Sequence, residues 1–176
     1  MHLTREEERI CKGELGKGMQ EALNLLVAIG DAYDAERMIP ISRAHAASSG
    51  HEGDLYFVEL LSDGGARCRV PTSTNPVYDL PFFHRLFESP KFEAEIARKV
   101  MEGYRRLGAI LSWSCIPYMA ENIPLYGETV AFSESSATPY VNSIIGARTN
   151  REAAQSALAA GVIGKTPEYG LHFKEN

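Results

Sequence analysis

Three short apolar runs alternate with stretches of helical periodicity in this chain, and that order constrains the architecture more than any other feature. The first run, Arg37–Ser42, holds Met38, Ile39 and Ile41. In the second, Ala66, Cys68 and Val70 alternate with Arg67 and Arg69, the period of two expected of a strand with one buried face, which makes Cys68 a core thiol. The third is Ala109–Trp113, bounded by Ser114. Between the first two, Leu55, Val58 and Leu61 share a helical face before Gly64-Gly65 allows a reversal. Between the last two, Ser89-Pro90 caps a helix along which Phe92, Ile96, Val100, Tyr104 and Leu107 recur up to Gly108. Strand, helix, strand, helix, strand needs crossover connections, so the pattern predicts an α/β fold: a parallel sheet with helices on both faces.

Ahead of this core, Thr4 followed by Glu7 is a capping-box signature that opens helical spacing through Ile10, Met19, Leu23, Leu26 and Ile29. Gly13, Gly16 and Gly18 interrupt the stretch, which splits it into two helices joined near Gly13. A length of 176 residues suits one domain, and 44% apolar with 23% charged residues is the composition of an ordinary folded chain. Basic residues are scattered under a net charge of -5, which argues against nucleic acid as a partner. No window approaches the roughly 18–20 apolar residues of a membrane span. The acidic start lacks the layout of a secretory signal, and three widely spaced cysteines, Cys11, Cys68 and Cys115, suit a reducing compartment. The expected address is the cytoplasm.

Polar segments follow each apolar run: Ser42-Arg43-Ala44-His45, then Pro71-Thr72-Ser73-Thr74-Asn75-Pro76, then Ser114-Cys115-Ile116-Pro117-Tyr118. Ligands of open α/β sheets bind beyond the carboxyl ends of the strands, so these segments are expected to converge, with His45, Asn75 and Cys115 beside the stretch 148–152. Cys115 sits in a loop-like segment, where a thiolate can bind a metal or act as a nucleophile; a buried thiol is the other reading. His45 is open in the same way between a structural and a catalytic histidine. A second cluster runs from Gly127-Glu128 through Ser133-Glu134-Ser135-Ser136, Tyr140, Asn142 and Ser143 to Gly146-Ala147-Arg148-Thr149-Asn150-Arg151-Glu152. Arginine forks among neutral donors suit a small anionic substrate, while a loop whose Asn and Thr merely cap the next helix explains the same residues.

Taken together, these segments resemble the catalytic domain of the aconitase X family, iron-containing dehydratases distantly related to aconitase. The resemblance is carried by Leu3-Thr4-Arg5-Glu6-Glu7-Glu8, Ile41-Ser42 with Ala44-His45, Pro71-Thr72 with Thr74-Asn75-Pro76, Ser114-Cys115-Ile116-Pro117-Tyr118 and Tyr126-Gly127-Glu128. It is densest over Glu134-Ser135-Ser136-Ala137, Asn142-Ser143 and 146–152, and continues through Ser156-Ala157-Leu158-Ala159-Ala160 to 166–172. It implies removal of water from a small anionic hydroxy acid at an iron or iron–sulfur centre, with Cys115 as the first metal ligand. The expected catalytic groups are His45, Ser42, Glu134 and Ser135. The expected substrate-binding groups are Thr72, Asn75, Tyr118, Ser136, Asn142, Ser143, Arg148, Thr149, Asn150 and Arg151.

The chain departs from the family pattern at Ala153-Ala154-Gln155 and over 46–51, which bears on substrate choice. Family catalytic subunits are also longer. They add cysteine ligands downstream and work with a small swivelling domain, fused or separate, so residues 1–176 are expected to be one portion of such a subunit and to need a second chain or segment. The look of Val70-Pro71-Thr72 with Thr74-Asn75-Pro76 places cis-3-hydroxy-L-proline ahead of 5-phosphomevalonate as substrate. A catalytically silent binding or regulatory module is the alternative of another class.

Overall fold

The computed structural model describes residues 1–48, 51–75 and 91–173. Helix α1 (Arg5–Cys11) starts at the expected capping box, with Thr4 Oγ1 accepting from Glu7 N and Glu7 Oε2 accepting from Thr4 N at 2.7 Å. Gly13 takes φ +78° at the break before α2 (Lys17–Ala32), a left-handed conformation that ends a helix without Cβ strain. Then come β1 (Met38–Pro40), β2 (Ala44–Ala46), α3 (Glu52–Asp63), β3 (Thr72–Thr74) and α4 (Lys91–Leu107). The remainder is β4 (Ala131–Phe132), α5 (Ala137–Tyr140) running into a π-helical turn Val141–Ile145, α6 (Ala154–Ile163) and β5 (Lys165–Pro167). No helix among the described residues is long and apolar enough to cross a membrane.

A parallel three-stranded sheet in the order β3-β2-β4 forms the centre, as the α/β reading expects, but none of its three strands is one of the expected runs. The run Arg37–Ser42 contributes β1, which pairs antiparallel with β5 in a separate two-stranded sheet. The alternating run 66–70 is not a strand. Its backbone donors go to helix ends instead: Ala66 N to Leu61 O, Cys68 N to Leu107 O and Arg69 N to Gly161 O. These are carbonyls that the last turns of α3, α4 and α6 cannot satisfy internally, so one extended segment caps three helices. Cys68 still packs against the core. Ala109–Trp113 likewise supplies a single bridge, Ile110 to Ser73, at the edge of β3. The serine–proline cap at 89–90 lies outside the described residues.

The two faces of the parallel sheet differ. Ala44, Ala46 and Ala131 belong to the main core with α2, α3, α4 and α6. Small side chains are required there, because a methyl group at Gly161 of α6 would overlap the Thr72 hydroxyl and lie 3.3 Å from the Ala44 methyl. Phe132 turns the other way, into a second cluster with Tyr118, Val130, Ala137, Val141 and Ala147. Glu7, 2% exposed, ties the N-terminal helix to β5 through Lys165 Nζ at 2.6 Å.

Candidate active site

On that second face, His45 is fully buried in the middle of β2, not beyond a strand end as the sequence order suggests. A three-residue strand is too short to leave a periodic trace, so its residues read as loop. Imidazole Nδ1 lies 2.9 Å from Ser73 Oγ and Nε2 lies 2.9 Å from Asn75 Oδ1. Asn75 Nδ2 donates to Glu134 Oε1 at 2.5 Å, which leaves Oδ1 as the acceptor and assigns the ring proton to Nε2. Nδ1 must then accept from the Ser73 hydroxyl, and Ser73 Oγ in turn accepts from Asn122 Nδ2 at 2.8 Å.

The chain extends further. Arg43 Nη1 donates to Asn122 Oδ1 at 3.5 Å, and the same guanidinium grips both oxygens of Glu128 at 3.1 and 3.4 Å. Burial works against a charge on Glu128, yet the Leu125 N–H and Arg43 hold its carboxyl below the ordinary range. Every donor from Arg43 through Asn122, Ser73, His45 and Asn75 therefore points one way, toward Glu134. The polarity suits a neutral His45, whose affinity for a proton is lowered by burial despite the pull of Asn75 and Glu134.

Asn75 and Glu134 open into a cleft of about 520 Å³ that also takes in Ala47, Ser133, Ser135, Arg151, Glu152 and Ala153. Its walls follow the carboxyl ends of all three parallel strands, where such sheets bind ligands. Cys115 joins from the third polar segment: its exposed thiol lies beside Glu134, and desolvation and then that carboxyl push its proton affinity up. Two residues earlier Trp113 has φ +56°, a left-handed backbone that costs roughly 1–2 kcal/mol in a bulky residue. Arg151 is exposed at the rim and makes no ion pair among the described residues. Ala153 begins α6, whose first N–H groups have no intrahelical partner and favour an anion.

The structure thus gathers His45, Asn75, Glu134, Ser135, Arg151 and Cys115 at one place and leaves other expected site residues elsewhere. Ser42 precedes β2, at the opposite end of the sheet, and bonds the Thr129 carbonyl through both its N–H and its hydroxyl. Thr72 opens β3, fully buried under α6, its hydroxyl donating to Val70 O. Asn142 spends its amide on Thr138 O and on both backbone groups of Thr149; Thr149 caps Phe132 N; Asn150 holds Tyr169 O and Leu171 N. These are structural roles. Arg148 bridges to Thr129 and approaches His172 instead of the cleft. Tyr118 donates to Ser136 Oγ at 2.8 Å and, with Tyr140, Ser143 and Ile144, borders a separate shallow groove. Sequence reasoning marked the segments of Arg43, Ser73 and Glu152 without giving those residues a role, and it missed Asn122. Alternation across Ala44-His45-Ala46 and Thr72-Ser73-Thr74 could have flagged Ser73, whereas nothing local marks Asn122.

A family model described as aconitase X first domain matches residues 1–175. The chain belongs to the aconitase X family. It is 44% identical over 180 residues to the phosphomevalonate dehydratase large subunit of Methanosarcina mazei, covering all of this chain and 45% of that protein. A crystal structure of aconitase X (holo-form) from Thermococcus kodakaraensis superposes with a TM-score of 0.88 at 41% identity, covering 100% of this chain and 44% of that one. The cis-3-hydroxy-L-proline dehydratase of Pseudomonas aeruginosa is 32% identical over 171 residues, covering 96% of this chain and 30% of that protein. The family shares this α/β fold, and the chain spans less than half the length of these relatives.

An iron–sulfur cluster needs about three or four ligands, mostly thiolates. Among the described residues no group of three His, Cys, Asp or Glu side chains could hold a metal. Cys11 lies on α1, and Cys68 is pushed further from its thiolate by burial beside the end of α4. Cys115 alone does not fit a cluster.

Proposed function

We propose that this chain is part of a dehydratase large subunit that removes water from 5-phosphomevalonate. The observation that carries the substrate choice is the 44% identity to a phosphomevalonate dehydratase large subunit, against 32% to a cis-3-hydroxy-L-proline dehydratase. In this reading Glu134, oriented by the Asn75–His45 chain, is the base that takes the proton from carbon. Arg151 and the N-terminus of α6 bind the substrate carboxylate. Cys115 is one ligand of an iron–sulfur group whose other ligands come from the part of the large subunit outside this chain, and a small swivelling partner completes the site.

The assembly isolated from its source through a tag on this chain is offered 5-phosphomevalonate and cis-3-hydroxy-L-proline side by side. Water loss from the first is the expected result. Turnover of the second alone moves the substrate, and turnover of neither leaves the silent-module alternative standing. Within an active assembly, Arg151→Lys is expected to weaken substrate binding at least tenfold, from the loss of about 1.5–3 kcal/mol in a charge-assisted pair. Arg148→Lys is expected to leave binding unchanged. The isolated chain, purified anaerobically, is expected to hold no stoichiometric iron.

A further inference from the structure

Glu152 borders the cleft with Glu134, is only 7% exposed, and is anchored beside β4 by its N–H on Phe132 O. Its carboxyl lacks what a buried carboxylate needs. Glu7, equally buried, has the Lys165 ammonium and the Thr4 N–H on its two oxygens. Among the described residues the neighbour of Glu152 is a single hydroxyl: Ser156 Oγ lies 2.5 Å from Oε2, while Oε1 is buried with no partner. The groups around it supply no pairing cation. Ser156 of α6 and Tyr169 near the C-terminus are neutral, Glu134 on the same cleft is an acid, and Arg151, its neighbour in the chain, is exposed at the rim.

A charged Glu152 would have one hydroxyl on Oε2 and a buried Oε1 without a donor among the described residues, a desolvation cost that the uncharged acid largely avoids. Ser156 Oγ also lies 3.1 Å from Ala153 O and accepts from Ala153 N at 3.0 Å. Ala153 O has its own helical donor, Ala157 N at 3.0 Å, so the Ser156 proton serves either form; the bare, buried Oε1 is what a charged carboxylate could not tolerate. With the proton on Glu152, Oε2–H donates to Ser156 Oγ and Ser156 donates to Ala153 O, so each proton has one acceptor. Burial acts in the same direction, raising the affinity of the carboxyl for its proton more than Ser156 lowers it.

We infer that Glu152 is an uncharged carboxylic acid at neutral pH and supplies the proton that leaves with the substrate hydroxyl, a role that rests on the dehydratase reading of this cleft. As the base removes the proton from carbon, the C–H electron pair becomes the new double bond and the C–O bond breaks. The Glu152 proton completes the departing water, and solvent reprotonates the carboxylate.

The test begins with infrared spectroscopy of the 176-residue chain at about pH 7. A protonated-carboxyl C=O band is expected that disappears in Glu152→Gln and persists in Glu134→Gln; a wild-type spectrum without it overturns the inference. Thermal melting gives an independent reading. Wild-type stability falls as pH rises above the ordinary carboxyl value of 4.5, and glutamine, which cannot ionise, removes that fall. In the native assembly Glu152→Gln is expected to lower kcat at least a hundredfold with KM little changed. Unchanged kcat overturns the proton-donor role even where the infrared band is present. A wild-type assembly without turnover overturns the dehydratase reading instead, and the infrared band still decides the state of Glu152.

Discussion

One face of the β3-β2-β4 sheet is small and apolar, and the other carries a chain of polar groups; both are fully buried. Ala44, Ala46, Thr72 and Ala131 let α6 approach until Gly161 has no room for a methyl group. His45 and Ser73, one residue out of step, hold the hydrogen bonds that run from Arg43 to Glu134, with Phe132 packed beside them. Stability on the first face comes from close packing, where added volume is the danger. On the second it comes from satisfying every donor and acceptor, where a lost partner is the danger. The Glu134 carboxylate, the base of the proposed reaction, hangs from the second face through Asn75.

If this division holds, the largest effect comes from overfilling the packed face. Gly161→Val is expected to cost about 3 kcal/mol or more in urea unfolding, since neither Thr72 nor Ala44 can retreat from a buried strand. Cutting the polar face in its middle comes next: His45→Leu strands the Ser73 hydroxyl and the Asn75 carbonyl and should cost about 2 kcal/mol. Ser73→Ala, which leaves His45 its Asn75 bond, should cost about 1 kcal/mol. A smaller change for Gly161→Val than for Ser73→Ala would dissolve the distinction between the faces.

Titration sharpens the same contrast. Burial lowers the proton affinity of His45, so the folded state prefers the neutral ring. Its contribution is full above the ordinary value of 6.5 and is lost as pH falls through the lower folded value. His172, buried without a partner for either ring nitrogen among the described residues and pushed down to about 4, adds a loss of the same sign. Unfolding free energy measured from pH 7 to 4 should therefore fall less in His45→Leu than in the wild type, whereas Gly161→Ala should leave the slope unchanged.

Much of the helical framework is readable from residues alone. The Thr4–Glu7 box, the break near Gly13, and the spacing through Val58 and Leu61 or Val100 and Tyr104 all correspond to observed helices and buried faces. Strands were harder to place. Alternation over 66–70 marks an extended segment with one side toward the core, but it does not reveal whether the backbone donors meet another strand or the ends of three helices. The site shows the same limit: Asn75, Glu134 and Cys115 announce themselves by residue type and segment, while Asn142, Thr149 and Asn150 look equally functional and serve to fasten loops. Substrate choice was misdirected by the cue in 70–76, which pointed to hydroxyproline, where identity across the whole chain favours the phosphomevalonate relatives.

By itself, then, the sequence determined the helices, the α/β class, the family and the polar segments from which the cleft is built, because capping, periodicity and motif spacing are local properties. Tertiary structure decided which three-residue segments pair as the parallel sheet, and that His45 lies inside it. It also decided that Ser42 and Arg148 stay away from the cleft while Glu152 joins it without a cation. Those outcomes depend on which buried donor finds which acceptor across tens of residues, as Asn122 finds Ala44 O and Ser73, and no local pattern in the chain encodes a partner that distant.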